Sequence, residues 1–565
     1  MSESRTQPRV ASSSPARNRN QWPIRAAAII IILAGVAAYH NSFQGEFIFD
    51  DNSSIEDNPT IRSLWPIWTV LSPPGDWQAI QNRPVVNLSL AINYAIGGLD
   101  VRGYHAFNLI IHILAALTLF GIIRRTLHLP AMPGHISGAA VPLALAAALI
   151  WTVHPLATES VTYIIQRTES LMGLFYLLTL YCMIRGAGVA RPFWWYVTAV
   201  VACALGMGCK EVMVSAPLIV LLYDRVFLAR SFKDLFRRRW RLYIPLAATW
   251  LLLAALVIPT GGRGDTAGLG YWVVVRYYAL AQCIAITRYL GLCFRPHPLI
   301  VDYGFCPAST LAQAWPYAIL IALLLVATVR SLRDRPWQGF LGIWFFAILA
   351  PSSSVVPLLA QAAAEKRMYL PLAAVVAGAV IFVYDFGRRL LVRLHPAVDL
   401  RKTVGWLLAV ALTGAVVVIL GFLTVRRNCD YRSNSTIWHD TVDKLPTNSR
   451  AWVNRGAVYL LDGRFDQAIS DFTKAIELKD EYAEAHFNRG STYRLKGDFD
   501  TAIGDLTKAI DLKPKLAMAY NERALVYFNK RNFDLARGDV RAAQTLGFKV
   551  TPGFLEALRN TSPGN

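Results

Sequence analysis

The residues able to do chemistry crowd around the ends of the apolar stretches. Phe47-Ile48-Phe49-Asp50-Asp51-Asn52 follows the first stretch, and Gln81-Asn82-Arg83-Pro84 comes before Tyr104-His105 and Asn108 at the start of the second. Further on lie His154-Pro155 with Glu159, Arg167 and Glu169, then Lys210-Glu211, Arg295-Pro296-His297-Pro298 with Asp302-Tyr303, and Glu365-Lys366-Arg367-Met368-Tyr369. Carboxylates beside cations and histidines supply what transfer from a phosphorylated donor needs, a base and a phosphate clamp. Asp50, next to a second acid that opposes simultaneous ionisation of the pair, could deprotonate an incoming hydroxyl. Arg83, Lys210 and Arg367 could hold a phosphate by charge-assisted hydrogen bonds, and His105, His154 and His297 could add donors. The competing account is that these are loop charges and helix ends reaching for the interface. Spacing alone does not say which of them meet.

The scaffold for these groups is apolar. The chain has 565 residues, 54% hydrophobic and 17% charged, against roughly 25% charged in an average soluble domain. The expected fold class is all-α, a polytopic membrane helix bundle followed by a helical repeat solenoid. Candidate spans begin near Arg25, Tyr104, Ala139, Val161, Phe193, Val212, Tyr243, Gln313, Gly339, Tyr369 and Val404, about eleven in all by the length needed to cross a bilayer.

A net charge of +20 comes from clusters flanking these stretches, Arg124-Arg125, Arg185 to Arg191, Arg225 to Arg241, Arg330 to Arg335 and Arg388 to Lys402. That distribution argues for positive-inside topology and against a nucleic-acid surface. Keeping the alternation places Tyr271 to Phe294 on the outer interface or in a re-entrant hairpin, since Arg276 and Arg288 make a lipid-facing span costly. An odd number of crossings from a cytoplasmic N-terminus then puts everything after Val425 outside the cytoplasm. Seven cysteines show no ligand spacing and no disulfide framework.

The expected organisation is a basic leader at 1–24, a multispan domain at 25–425 with outer loops at 41–103, 260–312 and 351–368, a linker at 426–450, three repeats at 451–550 and a tail at 551–565. The repeats have the ~34-residue tetratricopeptide period. Asn454-Arg455-Gly456 recurs as Asn488-Arg489-Gly490, and Tyr459, Tyr493 and Tyr527 fall in register, as do Ala468, Ala502 and Ala536. Each unit is expected to be a helix hairpin stacked on its neighbours. Asn454, Asn488, Arg455 and Arg489 either contact a bound peptide or make solvated and inter-repeat contacts.

Phe49-Asp50-Asp51 with Asn58-Pro59, Arg83-Pro84 with Tyr104-His105 and Asn108, His154-Pro155 through Glu159 to Arg167, Pro296-His297-Pro298-Leu299 with Val301-Asp302-Tyr303, and Glu365 to Pro371 occur in this order. The set resembles the transmembrane and tetratricopeptide repeat (TMTC) protein O-mannosyltransferases, of the GT-C class of membrane glycosyltransferases. The resemblance implies a GT-C-like bundle, a polyprenyl-phosphate sugar donor with mannose as the sugar, a protein hydroxyl as acceptor, and inversion on the non-cytoplasmic face. It also implies that the acid of the first outer loop is the base, here Asp50 or Asp51, with Asp50 favoured. No cofactor is required; a divalent metal on Asp50, Asp51 and Glu159 is the less favoured option. The expected setting is a bacterial inner membrane with periplasmic repeats, the alternative an endoplasmic reticulum membrane with lumenal ones. Against the enzyme stands a non-catalytic scaffold whose repeats recruit protein partners; a transporter would show symmetric broken helices, and the sequence has no matching halves.

Overall fold

The computed structural model describes residues 21–73, 79–258, 272–304, 311–353, 361, 363–394 and 398–561. The leader before residue 21 and parts of the outer loops at 260–312 and 351–368 lie outside them. Among the described residues every regular element is helical. The membrane part comprises α1 (Trp22–Tyr39), α2 (Pro84–Gly97), α3 (Val101–Leu127), α4 (Ala140–Thr152), α5 (Arg167–Ala187), α6 (Phe193–Met207), α7 (Ala216–Phe227), α8 (Phe232–Val257), α9 (Trp272–Phe294), α10 (Leu311–Asp334), α11 (Pro336–Leu349), α12 (Pro371–Leu394) and α13 (Val398–Asp430).

Local chemistry starts these helices. Pro84 and Pro336 occupy first-turn positions, where the missing N–H costs nothing. Asp100 caps α3 by accepting the Arg102 N–H, and Ser231 caps α8 by accepting that of Asp234. Gly98, at φ +61°, ends α2 in a backbone conformation that side chains resist.

Each of the eleven expected spans coincides with a helix. Among the described residues six are long and apolar enough to cross a membrane, and α4 with the bent segment Pro155–Thr162 makes a seventh when counted as one broken span. Of the other four, α12 has 24 residues, but α7 has only 12, and the 15 residues of α6 and the 14 of α11 reach only about 22 Å, against roughly 30 Å of hydrocarbon. The chain is a multi-pass membrane protein. The hairpin alternative for Tyr271 to Phe294 is corrected, because α9 is a single 23-residue helix. Its Arg288 lies 4.3 Å over the Tyr303 ring rather than in lipid.

The bundle core joins α3, α4 and α12. Trp151 is fully buried and its indole N–H donates to the Tyr369 carbonyl at 2.9 Å. His112 sits between the Tyr369 hydroxyl and the Thr152 carbonyl, 2.9 Å from each.

The expected linker at 426–450 is also corrected. α13 runs to Asp430, and α14 (Asn434–Lys444) follows with a capping box at Ser433. The repeats are α15 (Ser449–Leu461) with α16 (Phe465–Leu478), α17 (Ala483–Lys496) with α18 (Phe499–Leu512), and α19 (Ala517–Asn529) with α20 (Phe533–Thr545). The tail contains α21 (Pro552–Arg559), which packs Leu558 and Phe554 on the last unit. Within a hairpin the helices approach closely: a Cβ at Gly456 would stand 2.7 Å from the Phe472 ring.

Candidate active site

The loop after α1 presents two adjacent carboxylates in unlike settings. Asp51 is fully buried, and its oxygens accept the backbone N–H of Ile48 at 3.1 Å and of Ile165 at 2.7 Å. Burial pushes its carboxyl up to about 8 despite these bonds, and the neighbouring Asp50 adds to the rise. Asp51 therefore pins two segments together. Asp50 is half-buried, and its own amide donates to the Tyr163 hydroxyl at 3.0 Å. Burial raises its carboxyl above the ordinary range, while Lys366, the Tyr163 hydroxyl and Arg83 pull it back down.

The backbone delivers Asp50 from a strained position. Phe49 has φ 47°, rare for a bulky side chain. α14 holds it there: the Phe49 N–H donates to Asn434 Oδ1 at 2.9 Å, and its ring meets Trp438 edge-on at 5.2 Å. Strain kept in place by surrounding contacts is a mark of a functional position.

Two cations, Arg83 and Lys366, act on Asp50 from other segments, and a third, Lys210, lies near both of them. Arg83 is buried and donates to the Ala79 carbonyl at 2.6 Å. Lys210 pairs with Glu169, and the charges of Arg83 and Lys366 both act on it. Lys366 Nζ is 3.4 Å from Glu159 Oε1, and its backbone N–H donates to Glu159 Oε2 at 2.8 Å. Each ammonium has one carboxylate partner and three N–H bonds, so donors remain for a phosphate.

Other expected site residues are engaged elsewhere. Arg167, fully buried, spends its guanidinium on Asn108 Oδ1 at 2.6 Å, the Ser89 carbonyl at 3.2 Å and the Tyr104 carbonyl at 3.1 Å. It is a structural cross-link rather than a phosphate donor. His154 accepts the Leu156 N–H on Nδ1 and reaches the Cys293 carbonyl with Nε2, so both ring nitrogens pin the break after α4. His105 is buried between Phe43 and Gly45, and His297 is exposed. Arg367 turns to Ser353 Oγ at 3.2 Å and to the Gln361 carbonyl. Asp302 accepts the Gly304 N–H at 2.8 Å and pairs with Arg450 Nε of α15 at 2.7 Å, yet its charge still reaches Asp50. Glu159 serves as the anchor of Lys366.

The sequence singles out no role for Lys366 and Glu365 within their charged run, nor for Tyr163. Glu365 accepts the Ile300 N–H at 2.5 Å and the Tyr303 hydroxyl at 2.6 Å, and burial pushes it up to about 7 although Arg427 opposes the rise. Lys366 and Arg367 are adjacent in sequence; the turn Glu365–Met368 decides which one faces Asp50.

In the array, Arg455 and Arg489 are not free for a peptide. Each forks onto the aspartate sixteen residues later, Asp471 and Asp505, at 2.7 to 2.9 Å, as Arg523 does onto Asp539. Asn454 and Asn488 remain half-exposed beside them. Among the described residues no three His, Cys, Asp or Glu side chains are placed to hold a metal: Asp51 is bound to amides and Glu159 to Lys366.

Two tetratricopeptide repeat models match residues 447–515 and 487–547. The chain is 24% identical over 496 residues to mouse protein O-mannosyl-transferase TMTC3, covering 81% of this chain and 51% of the relative. It is similar to the TMTC proteins. Caenorhabditis elegans protein O-mannosyl-transferase F38B6.6 is 24% identical, with 83% and 65% covered, and Drosophila melanogaster Tmtc3 is 24% identical, with 84% and 57% covered. The chain thus spans half to two-thirds of the length of these curated TMTC-type relatives. A superposition on ArnT from Cupriavidus metallidurans, solved with undecaprenyl phosphate, covers 88% of this chain and 81% of that one at 15% identity and a TM-score of 0.39.

Proposed function

We propose that this protein transfers a sugar, mannose by its likeness to the TMTC relatives, from a polyprenyl-phosphate donor to a hydroxyl of a protein acceptor on the non-cytoplasmic face of its membrane. The observation that carries the reading is Asp50: a half-exposed carboxylate, free of the backbone bonds that occupy Asp51, set among Arg83, Lys366 and the Tyr163 hydroxyl.

In the step envisaged, the acceptor oxygen attacks the anomeric carbon as the bond from that carbon to the phosphate oxygen breaks. Asp50 takes the hydroxyl proton, and polyprenyl phosphate leaves with the bonding electron pair. Attack opposite the leaving group inverts the anomeric centre. Arg83, Lys210 and Lys366 meet the charge that grows on the phosphate, where preorganised donors are worth most. Their positions call for no metal, so transfer is expected to persist in chelator. The array presents the acceptor; the basic clusters suit a cytoplasmic N-terminus with the repeats on the opposite face, which is the periplasm if the membrane is a bacterial inner membrane and the lumen if it is the endoplasmic reticulum.

The test is transfer from polyprenyl-phosphate mannose to peptide, glycan and lipid acceptors by purified wild type, Asp50→Asn and Asp51→Asn, each with a thermal melt. Activity in wild type, lost in Asp50→Asn at an unchanged melt, supports the reading. Full activity in Asp50→Asn removes Asp50 as the base; no transfer by wild type with any acceptor favours a scaffold.

A further inference from the structure

At the end of α3 away from Asp50, three arginines converge on one tyrosine. Arg124 and Arg125 close α3 and Arg185 closes α5. The guanidinium carbon of Arg125 lies 5.7 Å from the Tyr181 ring centre and that of Arg185 5.9 Å, and Arg185 also donates to the Tyr181 hydroxyl at 3.1 Å. Arg185 stands 4.4 Å over Trp195 as well. The Nε atoms of Arg124 and Arg125 are shielded from solvent and make no hydrogen bond among the described residues.

Among the described residues no carboxylate pairs with these arginines. Asp224, in neighbouring α7, is taken by Arg239 at 2.7 and 2.9 Å and by the Tyr243 hydroxyl at 2.5 Å, and Asp385 of α12 by His135 and Arg389. The carbonyl ends of α3 and α5 offer roughly half a negative charge each, well short of three.

The same helices wall a narrow, partly open apolar cleft of about 70 Å3, lined by Thr126, Leu127, Leu180, Tyr223, Trp337 and Ala377 among others. Thr126, which lines the cleft and shares a 2.7 Å hydrogen bond with Tyr223, directly follows Arg125 in α3, which sets Arg125 beside the cleft. Uncompensated guanidinium groups next to an empty hydrocarbon surface match one kind of ligand, a phosphate joined to a long apolar chain.

We propose that this end of the bundle binds an anionic glycerophospholipid, with its phosphate on Arg124, Arg125 and Arg185 and one acyl chain in the cleft. Guanidinium pairs with phosphate in a two-pronged geometry that a lysine does not reproduce, and the surrounding bilayer supplies the ligand. A soluble anion would have no use for the cleft, and a neutral lipid none for the arginines. The twenty residues from His105 to Arg125 separate the two regions by about 30 Å along α3, so the inference does not rest on sugar transfer.

The test uses delipidated full-length protein in detergent, with phosphatidylglycerol, phosphatidylcholine and glycerol 3-phosphate as probes, read by native mass spectrometry and thermal melting. Phosphatidylglycerol is expected to be retained at least tenfold better than phosphatidylcholine and to raise the melt, with no effect of glycerol 3-phosphate. Arg125→Gln/Arg185→Gln should bring phosphatidylglycerol down to the phosphatidylcholine level, and Ala377→Trp, which fills the cleft, should weaken it several-fold with the arginines intact. Arg185→Gln alone serves if the double variant does not fold. Equal retention of the two lipids by wild type, undiminished retention by the arginine variants, or binding of glycerol 3-phosphate as tight as that of the lipid would overturn the proposal.

Discussion

The array and the membrane bundle use arginine in opposite ways. In the array Arg455, Arg489 and Arg523 each hold the aspartate sixteen residues on, and two of them also reach a threonine of the preceding unit, Thr473 or Thr507. In the bundle the partners are distant in sequence and differ every time: Arg167 holds Ser89, Tyr104 and Asn108, Arg83 faces the loop of Asp50, and the Arg124 group meets no acid among the described residues. The array repeats one solved contact. The bundle solves each contact once, and where it leaves a cation short of partners it has a place for a ligand.

Breaking Arg167 should do the greatest damage. Arg167→Ala leaves buried acceptors on three residues without a donor, at about 1–3 kcal/mol for each stranded group; yield and melting of the purified protein should both collapse. Arg167→Lys should rescue little, since one ammonium cannot span the three sites.

Next comes the pair that separates chemistry from architecture. Asp50→Asn should lower transfer roughly a hundredfold or more with the melt unchanged, whereas Asp51→Asn should lower the melt, because an amide cannot accept both the Ile48 and the Ile165 N–H equally. An equal fall in melt for both variants would erase the distinction drawn between the two acids.

In the array, Arg489→Ala should cost about 1–3 kcal/mol, seen in thermal melting, with transfer to a short soluble acceptor retained. A double-mutant cycle with Asp505→Ala should show strong coupling; additive losses would mean that the fork contributes little.

The smallest effect is a shift in pH dependence. Because Asp50 must be ionised to act as a base, transfer should rise with pH, with a midpoint above the usual carboxylate range owing to burial. Lys366 favours the ionised form, so Lys366→Met should move that midpoint further up. A midpoint that stays put would place Lys366 too far from Asp50 to matter.

The two regions also differ in how far the sequence discloses them. The array was readable from Tyr459, Tyr493 and Tyr527 in register, because a repeated contact leaves a repeated letter. The helix positions of the bundle were readable from apolar runs; which helices are long enough to span was not, since α6 and α11 carry the same composition in fewer turns. At the site, residue type beside a span makes Asp50 and Arg83 candidates, and the fold brings their charges together. Residue type also offers Arg167 and His154, although folding consumes their polar atoms. It gives Lys366 no role of its own, because nothing in a string of neighbouring charges tells which face of a turn each will take. The segment at 426–450 read as a linker because α14 has a weakly apolar sequence, and its role depends on Phe49, almost four hundred residues earlier.

The anchoring of the array at its near end has one further consequence. Arg450 grips Asp302, Asn448 donates to the Asp302 carbonyl at 2.8 Å, and Lys444 reaches the Leu299 carbonyl at 3.1 Å, so these ties to the rim of the site come from α14 and the first unit. Later units touch mainly their neighbours, as stacked repeats do. Units can therefore be gained or lost at the far end without disturbing the seat beside Asp50, which leaves the length of the array as a property that lineages can vary independently of the chemistry.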